Sequence, residues 1–401
     1  MIPTNAVTAA APLSTEHTNT EHISTEHIST DQANATLANA ERSTICPHKI
    51  QAALSGNAAD LGVLPQFRRI RSKFDIHVFE TLPSTNTKLW EMMAEGAPAG
   101  TVVIAKQQTA GRGQRDRHWK SSRGGLYLSL ALEPNWPATH ITQLTCISAW
   151  GITTALNNLG IPIKIKWPND LFFEGKKLGG ILTETKLAQT FANLSSPEYS
   201  AKPMPYVKQA VIGVGINWHN SVPETATTLI KILESMPEHY GKNKINCLEM
   251  LAAVVLRGIL QGYVYRQQVG SQDFMKVYSN LLTQIGEVVS LDSDLLGLAI
   301  NLKSSPDALE QLEKRSGEVT GISEEGYLKV ALRDVSTTFA NDLESASSDT
   351  LLSGSIDKSL GCIADILLLR PAGDRTKSEE IRLEEIKLEE IKFGEAKSGK
   401  S

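Results

Sequence analysis

A glycine-rich, basic loop lies between two short apolar segments in the first half of the chain. It reads Gly-Arg-Gly-Gln-Arg-Asp-Arg-His-Trp-Lys-Ser over residues 111–121. The segment before it, Thr101–Ala105, is apolar and β-branched, and Leu126–Leu130 after it alternates apolar residues with Tyr and Ser. Both patterns are typical of β-strands. The sequence therefore predicts a strand–loop–strand unit, an arrangement whose loop commonly carries a binding site.

The residue types in this loop favour an anionic ligand. Glycine has no Cβ, so a Gly-x-Gly turn lets main-chain N–H groups face an anion. The guanidinium of Arg112 matches phosphate or carboxylate, and Trp119 offers a flat face for stacking a purine. A solvent-exposed basic loop is the alternative, and it is the favoured interpretation of an isolated Gly-Arg-Gly because short glycine motifs often match by chance.

A second dense segment runs over residues 166–180 and begins Lys-Trp-Pro-Asn-Asp. The alternating residues Ile163–Trp167 predict a strand, and the Pro-Asn-Asp that follows predicts a turn. The next strand begins near Lys177, so Asp170 and Lys177 are expected to face each other across a hairpin. A structural ion pair, worth little if exposed, is the alternative to a catalytic pair.

In this order the motifs resemble the active-site signature of the biotin–protein ligases. The matching segments are Ser-Thr-Asn at 84–86, Gln-x-x-Gly-Arg-Gly at 108–113 with Trp119 and Ser121, Lys-Trp-Pro-Asn-Asp at 166–170, Lys-Leu-Gly-Gly-Ile-Leu at 177–182, and Gly-Val-Gly-Ile-Asn at 213–217. The match covers the middle of the chain and neither tail. Gln114 stands where many members have arginine, and Asp116 where many have glycine. Arg115 and Arg117 lie nearby, so the departure bears on retention of the activated intermediate rather than on the reaction.

The resemblance implies a role for each matching residue. The catalytic group would be Lys177, Arg112 and Asp170. The biotin pocket would be lined by Ser84, Thr85, Asn86, Gln108, Arg112, Gly113, Gln114 and Lys177. The nucleotide would be held by Arg112, Arg115, Trp119, Asn169, Lys177 and Asn217. ATP, Mg²⁺ and the substrate biotin are the small molecules implied, and no protein metal-ligand set is predicted.

The resemblance also implies a reaction. Such a ligase activates biotin as biotinoyl-5′-AMP and transfers it to a lysine of the biotin carboxyl carrier protein of acetyl-CoA carboxylase or a related biotin-dependent carboxylase. A lipoate or octanoyl ligase of the same fold is one alternative, and a binding-only protein is another. A biotin-responsive repressor is disfavoured because the N-terminal stretch shows no helix-turn-helix pattern. The expected protein is a monomer or weak dimer without nucleic-acid or membrane partners.

Composition argues against some classes of binding partner and indicates a cellular compartment. The net charge is −4 and the pI near 6.2, which argues against a general binder of nucleic acids or membrane surfaces. The cysteines (Cys46, Cys146, Cys247 and Cys362) are scattered, which suits a reducing compartment and gives no zinc spacing. The longest apolar run, Leu248–Leu260, contains Glu249 and Arg257. With no signal-peptide pattern at the N-terminus, the sequence predicts a cytoplasmic protein.

The order of segments predicts an α+β fold, with a mixed β-sheet covered by helices on one side. Residues 1–73 are expected to be a low-complexity, mostly disordered extension with one short helix at Cys46–Ala59. Residues 74–282 are expected to form the catalytic domain, with Leu187–Val207 as an inserted surface loop. Short strands over 283–338 resemble an SH3-like β-barrel with an insertion at Leu295–Leu312, and 339–401 reads as a charged, low-complexity tail. Helices are predicted at Thr85–Glu95, Ile141–Leu159 and Cys247–Leu282.

Overall fold

A computed structural model describes residues 45–71, 73–114, 117–190, 204–236, 245–291, 315–332 and 366–369. The chain divides into two compact units, residues 1–41 and 42–401, and the first lies outside the described residues. The second unit contains an eight-stranded sheet, here called the large sheet, and a four-stranded sheet, here called the C-terminal sheet. The predicted α+β class with a mixed sheet is confirmed.

The large sheet runs in the order β1-β2-β3-β8-β7-β6-β5, and β4 pairs with β8. Its strands are β1 (Asp75–Phe79), β2 (Thr101–Ala105), β3 (Gly125–Leu132), β4 (Trp136–Pro137), β5 (Lys164–Lys166), β6 (Asp170–Phe173), β7 (Lys176–Thr190) and β8 (Met204–Asn217). The β1–β2 pair is parallel, whereas β2–β3, β3–β8, β8–β7, β7–β6 and β6–β5 are antiparallel. The predicted strands on both sides of the basic loop are β2 and β3.

The described residues form five α-helices. They are α1 (Pro47–Ser55), α2 (Thr85–Ala94), α3 (Ile141–Asn158), α4 (Leu229–Ser235) and α5 (Leu248–Ser279). The four predicted helices, including the short one at Cys46–Ala59, correspond to α1, α2, α3 and α5. Gly270, with a φ of 81°, interrupts the helical backbone of α5. By length and composition α5 could cross a membrane, but 83% of its most apolar window is buried, as in a core helix.

Helices cover both faces of the large sheet. Val102 and Ile104 of β2 point into the main core, which also contains the buried residues of α3 and α5. Val103 points the other way and packs with Leu89 and Met93 of α2. The expectation that helices cover one side was therefore wrong. Because successive strand residues point to opposite faces, β2, whose five residues are all buried, needs cover on both sides.

The main core begins well before the boundary predicted at residue 74. Ile50, Leu61 and Phe67 are each 0–1% exposed and belong to that core. Buried polar groups of α5 also hold this segment, since Arg257 Nη1 donates to Ile70 O at 2.5 Å and Gln261 Oε1 accepts from Leu64 N at 3.0 Å. The part of the extension from residue 45 onward is therefore folded. Its buried residues, from Ile45 to Phe67, follow directly on a long polar stretch, and the sequence prediction extended that stretch too far.

The C-terminal sheet is antiparallel, with the order β12-β11-β10-β9. Its strands are β9 (Val288–Ser290), β10 (Ser316–Ile322), β11 (Leu328–Leu332) and β12 (Ile366–Leu369). β12 lies inside the predicted tail, so the predicted domain end at residue 338 is too early. Main-chain pairing with β11 supplies the partner that local sequence does not reveal. The predicted insertion at 295–312 lies outside the described residues.

The predicted surface loop at 187–207 is also shorter than expected. β7 and β8 stay paired as far as Thr190 and Met204, where the register joins those two residues. Residues 191–203 lie outside the described part. Each strand continues because its N–H and C=O groups pair with the other strand, and Val207 still packs in the main core although Leu187 is exposed.

Helices α3 and α5 approach closely at a glycine contact. A Cβ added to Gly151 would overlap the main-chain carbonyl of Gly258, and one added to Gly262 would overlap that of Ile147. Backbone atoms cannot move aside as a side-chain tip can, so these glycines set the distance between the two helices.

We expect Gly151→Ala to lower the free energy of unfolding by about 2 kcal/mol, measured by urea denaturation. Alanine favours a helix over glycine, so an increase in stability would show that the helices separate without cost. Gln268→Ala, at an exposed position of α5, is the control and should leave stability nearly unchanged.

Candidate active site

A cavity of about 480 Å³ opens on the α2 side of the large sheet. It is enclosed by the N-terminus of α2, the basic loop, the turn between β5 and β6, and the first residues of β7. Its described lining consists of Ser84, Thr85, Asn86, Gln108, Arg112, Gly113, Gln114, Arg117, His118, Trp119, Lys166, Trp167, Pro168, Asn169, Asp170, Lys177, Gly180, Ile181, Leu182, Gly213, Val214 and Gly215. The two motif-bearing stretches, far apart in sequence, therefore share one cavity.

Two glycines of β8 form part of the cavity floor. Gly213 and Gly215 lie on the same strand face as Val211, which packs under α2. A Cβ on Gly213 would overlap the amide of Asn86, and a Cβ on Gly215 would lie 2.6 Å from Trp119 Nε1. The glycines thus let Asn86 and Trp119 lie directly on the sheet.

A polar network forms the end of the cavity beside α2. Gln108 Oε1 accepts from Thr85 N at 2.8 Å, and Gln108 Nε2 donates to Ser121 Oγ at 2.8 Å. Ser129 Oγ, buried on β3, lies 2.7 Å from Thr85 Oγ1 and 2.6 Å from Asn86 Oδ1. Ser84 is the N-cap of α2 but forms no side-chain cap bond, so Gln108 satisfies the first helical N–H instead. Thr85 and Gln108, which were predicted from separate motifs to line the biotin pocket, are therefore in direct contact.

The basic loop folds back on itself. Gly113 N donates to Arg117 O at 2.7 Å, and Trp119 N donates to Gly111 O at 2.9 Å. A Cβ on Gly111 would overlap Trp119 O, so the close approach of the two arms requires glycine there. These bonds direct Trp119 toward the cavity. Arg115 and Asp116 lie outside the described residues.

The opposite end of the cavity carries an ion pair. Lys177 Nζ lies 2.6 Å from Asp170 Oδ1 and 5.3 Å from the centroid of the Trp119 ring. The side chains of Lys177 and Asp170 are 32% and 23% exposed, so both reach the solvent of the cavity. The β6–β7 register pairs Phe172 with Lys177 and Asp170 with Gly180. The predicted contact across the hairpin is confirmed.

The charges of the lining favour an anionic ligand. Arg112, Arg117, Lys166 and Lys177 are cationic, and Asp170 is the one carboxylate among the described lining residues. Clefts lined mainly by one sign of charge concentrate ligands of the opposite sign. Phosphate and carboxylate groups are therefore the chemistry that this cavity fits.

The turn that carries Asp170 is held from behind. Tyr278 of α5 donates its hydroxyl to Pro168 O at 2.8 Å, and Trp167 Nε1 donates to Gly326 O, in the turn between β10 and β11, at 3.1 Å. Burial raises the pKa of Tyr278 well above its usual value, so the hydroxyl stays a donor. Asn169 Nδ2 donates to Ile181 O at 2.8 Å, which ties the turn to β7. Three separate elements thus determine the position of this cavity wall.

One predicted site residue does not reach the cavity. Asn217 is buried, its Oδ1 accepts from Asn220 Nδ2 at 3.0 Å, and it is absent from the described lining.

The described residues contain no cluster of three or more His, Cys, Asp or Glu side chains that could hold a metal ion.

Sequence reasoning missed Ser129, Lys166, His118 and Glu184. Lys166, His118 and Ser129 lie within segments already singled out, but no motif distinguishes their side chains. Glu184 follows Gly180 and Leu182 of β7 at a spacing of two residues, which puts all three on the cavity face. That alternation is the signal that could have identified it.

Comparison with known proteins shows what this chain is similar to. Residues 78–196 match the model of the biotin/lipoate A/B protein ligase family. The chain is 28% identical over 270 residues to a bifunctional ligase/repressor of Bacillus subtilis, covering 66% of this chain and 72% of the relative. It is 32% identical over 137 residues to a biotin–[acetyl-CoA-carboxylase] ligase of Paracoccus denitrificans, covering 33% and 50%. A biotin protein ligase from Aquifex aeolicus, solved with biotin and ATP, aligns with a TM-score of 0.45 and 22% identity over 65% of this chain and 95% of that one.

We expect Tyr278→Phe to lower the free energy of unfolding by about 1–3 kcal/mol, because the buried carbonyl of Pro168 loses its donor. Urea denaturation measures the change. Tyr265→Phe is the matched control, since it removes a hydroxyl from a half-buried ring of the same helix and should cost less. Equal losses in the two variants would show that the Tyr278 bond does not support the turn.

Proposed function

We propose that this chain, a member of the biotin/lipoate A/B protein ligase family, is an ATP-dependent biotin–protein ligase. It activates biotin as biotinoyl-5′-AMP and transfers the biotinyl group to a lysine of a biotin carboxyl carrier protein. The observation that carries the proposal is the shared cavity. In it the basic loop contributes Arg112 and Trp119, and the hairpin contributes Asp170 and Lys177.

In the first step the biotin carboxylate attacks the α-phosphorus of ATP. A carboxyl oxygen–phosphorus bond forms, and the bond from that phosphorus to pyrophosphate breaks. Negative charge accumulates on the phosphoryl oxygens as this happens. We assign its stabilisation to Lys177 and Arg112, whose side chains already lie in the cavity. Lys177 would exchange its contact with Asp170 for one with the ligand.

In the second step the ε-amine of the acceptor lysine attacks the carbonyl carbon of the mixed anhydride. An amide bond forms, AMP leaves, and the amine loses a proton. Asp170 is the one carboxylate among the described lining residues, so we assign it the role of orienting that amine. The turn before it, held by the hydrogen bonds of Asn169 and Tyr278, keeps it at the reacting end of the cavity.

The two substrates are assigned to opposite ends of the cavity. The polar network around Asn86 and Gln108 fits the hydrogen-bonding ring system of biotin, with Ser84, Thr85, Gly113 and Gln114 beside it. Trp119 and Asn169 fit the nucleotide end. The nucleotide contacts assigned to Arg115 and Asn217 rest on the resemblance alone.

Magnesium is proposed as the companion of ATP. Asp170 alone among the described lining residues offers a carboxylate, which fits an ion that nucleotide phosphates and water largely hold. When bound, the ion neutralises phosphate charge. No step assigned above to Lys177, Arg112 or Asp170 depends on its position.

The wider organisation is proposed as follows. The C-terminal sheet forms part of a small SH3-like barrel, supported by its four antiparallel strands. The acceptor belongs to acetyl-CoA carboxylase or a related carboxylase, supported by the name of the Paracoccus relative. A cytoplasmic location is supported by the free thiols Cys46, Cys146 and Cys247. A monomer or weak dimer, and the absence of a nucleic-acid partner, stay predictions.

We expect Lys177→Ala to reduce biotin-dependent pyrophosphate release at least about 100-fold, because it removes a cation from the developing phosphoryl charge. Lys176→Ala, one residue earlier and exposed, is the matched control and should keep nearly full activity. Both proteins are incubated with ATP, Mg²⁺, biotin and a carboxylase carrier domain. Pyrophosphate release is measured, and mass spectrometry of the carrier detects one added biotinyl group. Normal pyrophosphate release by Lys177→Ala would remove that residue from its role.

The family also includes lipoate ligases, so the acid substrate needs its own test. We expect biotin to bind at least about 100-fold more tightly than lipoate, because lipoate cannot satisfy the donors and acceptors around Asn86. Isothermal titration calorimetry with each acid measures both affinities. Tighter binding of lipoate would assign the chain to the other branch of the family.

A further inference from the structure

Glu184 lies on β7 at the edge of the cavity without belonging to its lining. It follows Gly180 and Leu182 at intervals of two residues, so its side chain points to the same face of the sheet. That face also carries Asn86 of α2 and the basic loop. Glu184 is therefore placed to connect three elements that enclose the cavity.

A single oxygen of Glu184 accepts three hydrogen bonds. Oε2 lies 2.9 Å from Arg112 Nη2, 3.0 Å from Asn86 Nδ2 and 3.2 Å from Trp90 Nε1. The donors come from the basic loop and from two positions of α2. Convergence of three donors on one oxygen is a defined geometry and not a chance surface pairing.

The contact with Asn86 shows why the carboxylate matters. Asn86 is 4% exposed, and its Oδ1 lies 2.6 Å from Ser129 Oγ. Its amide group must therefore direct Nδ2 toward Glu184, where it needs an acceptor. An exposed ion pair alone contributes little to stability, but this one shares its acceptor with a buried amide.

The contact with Arg112 restricts a flexible side chain. The side chain of Arg112 is 43% exposed and that of Glu184 is 25% exposed. A free arginine samples many rotamers, whereas pairing through Nη2 leaves its other N–H groups available for a ligand carboxylate or phosphate. Restricting Arg112 before binding lowers the entropy that binding must lose.

We propose that Glu184 is a positioning residue of this site, which orients Arg112 and Asn86 for binding of the biotin carboxylate and ring. The inference rests on the proposed function. Glu184 touches no substrate itself. It acts through the two cavity residues that it holds, and through Trp90 it ties them to the middle of α2.

The test is a double-mutant cycle on biotin affinity, measured by calorimetry without ATP. We expect Glu184→Gln to weaken binding about tenfold when Arg112 is present, and less than about twofold when it is combined with Arg112→Met. Glutamine keeps the size and one acceptor oxygen, so the N–H groups of Asn86 and Trp90 keep a partner and the fold is retained. Equal weakening in both backgrounds, or tighter binding by Glu184→Gln, would overturn the proposal.

A second measurement needs no ligand. Trypsin cleavage after Arg112, relative to cleavage after Arg117 in the same molecule, should increase several-fold in Glu184→Gln. Glu80→Gln is the control, because exposed Glu80 pairs with Lys106 and Arg123 away from the cavity lining, and it should change neither measurement. An unchanged cleavage ratio in Glu184→Gln overturns the positioning role. Failure of the unaltered protein to bind biotin contradicts instead the proposed function.

Discussion

The site depends on the pairing of one central strand. β8 hydrogen-bonds to β3 on one side and to β7 on the other. The basic loop leads into β3, and Lys177 is near the start of β7, so this pairing brings the two motif-bearing stretches to one place. On the face between them, Gly213 and Gly215 have no Cβ that would collide with Asn86 and Trp119. The two side chains that line the cavity can therefore lie directly on the strand.

Charge in the cavity is balanced locally and unbalanced overall. Lys177 is paired with Asp170, and Arg112 is paired with Glu184, so each of these two cations has a carboxylate partner in the structure. Neither pair is deeply buried, and a ligand bearing phosphate and carboxylate groups can compete for both cations. Because the described lining has more cations than carboxylates, binding an anion improves the balance.

Local sequence patterns predicted those elements whose apolar spacing stands out. β2, β3, α2, α3 and α5 were all predicted close to their observed bounds. The errors occurred where long-range contacts decide the structure. The segment from Ile45 to Ile70 is folded because α5 supplies partners for it, and β12 is a strand because β11 pairs with it. No window of sequence contains both members of these contacts.

The residues of the site also fall into those that the sequence predicted and those that it did not. Residue types and their order were enough to select the loop residue Arg112, the hairpin pair Asp170 and Lys177, and the polar residues of 84–86. The contacts of Glu184, Ser129 and Tyr278 are seen only in the folded chain, because these residues belong to no motif, although alternation along β7 places Glu184 on the cavity face. Asn217 shows the reverse case, since its motif is present while its side chain is engaged by Asn220. The chemical groups that the chain carries can be read from the order of its residues, since side-chain type is a local property. Which of those groups share a cavity depends on the fold, since strand pairing joins residues that are distant along the chain.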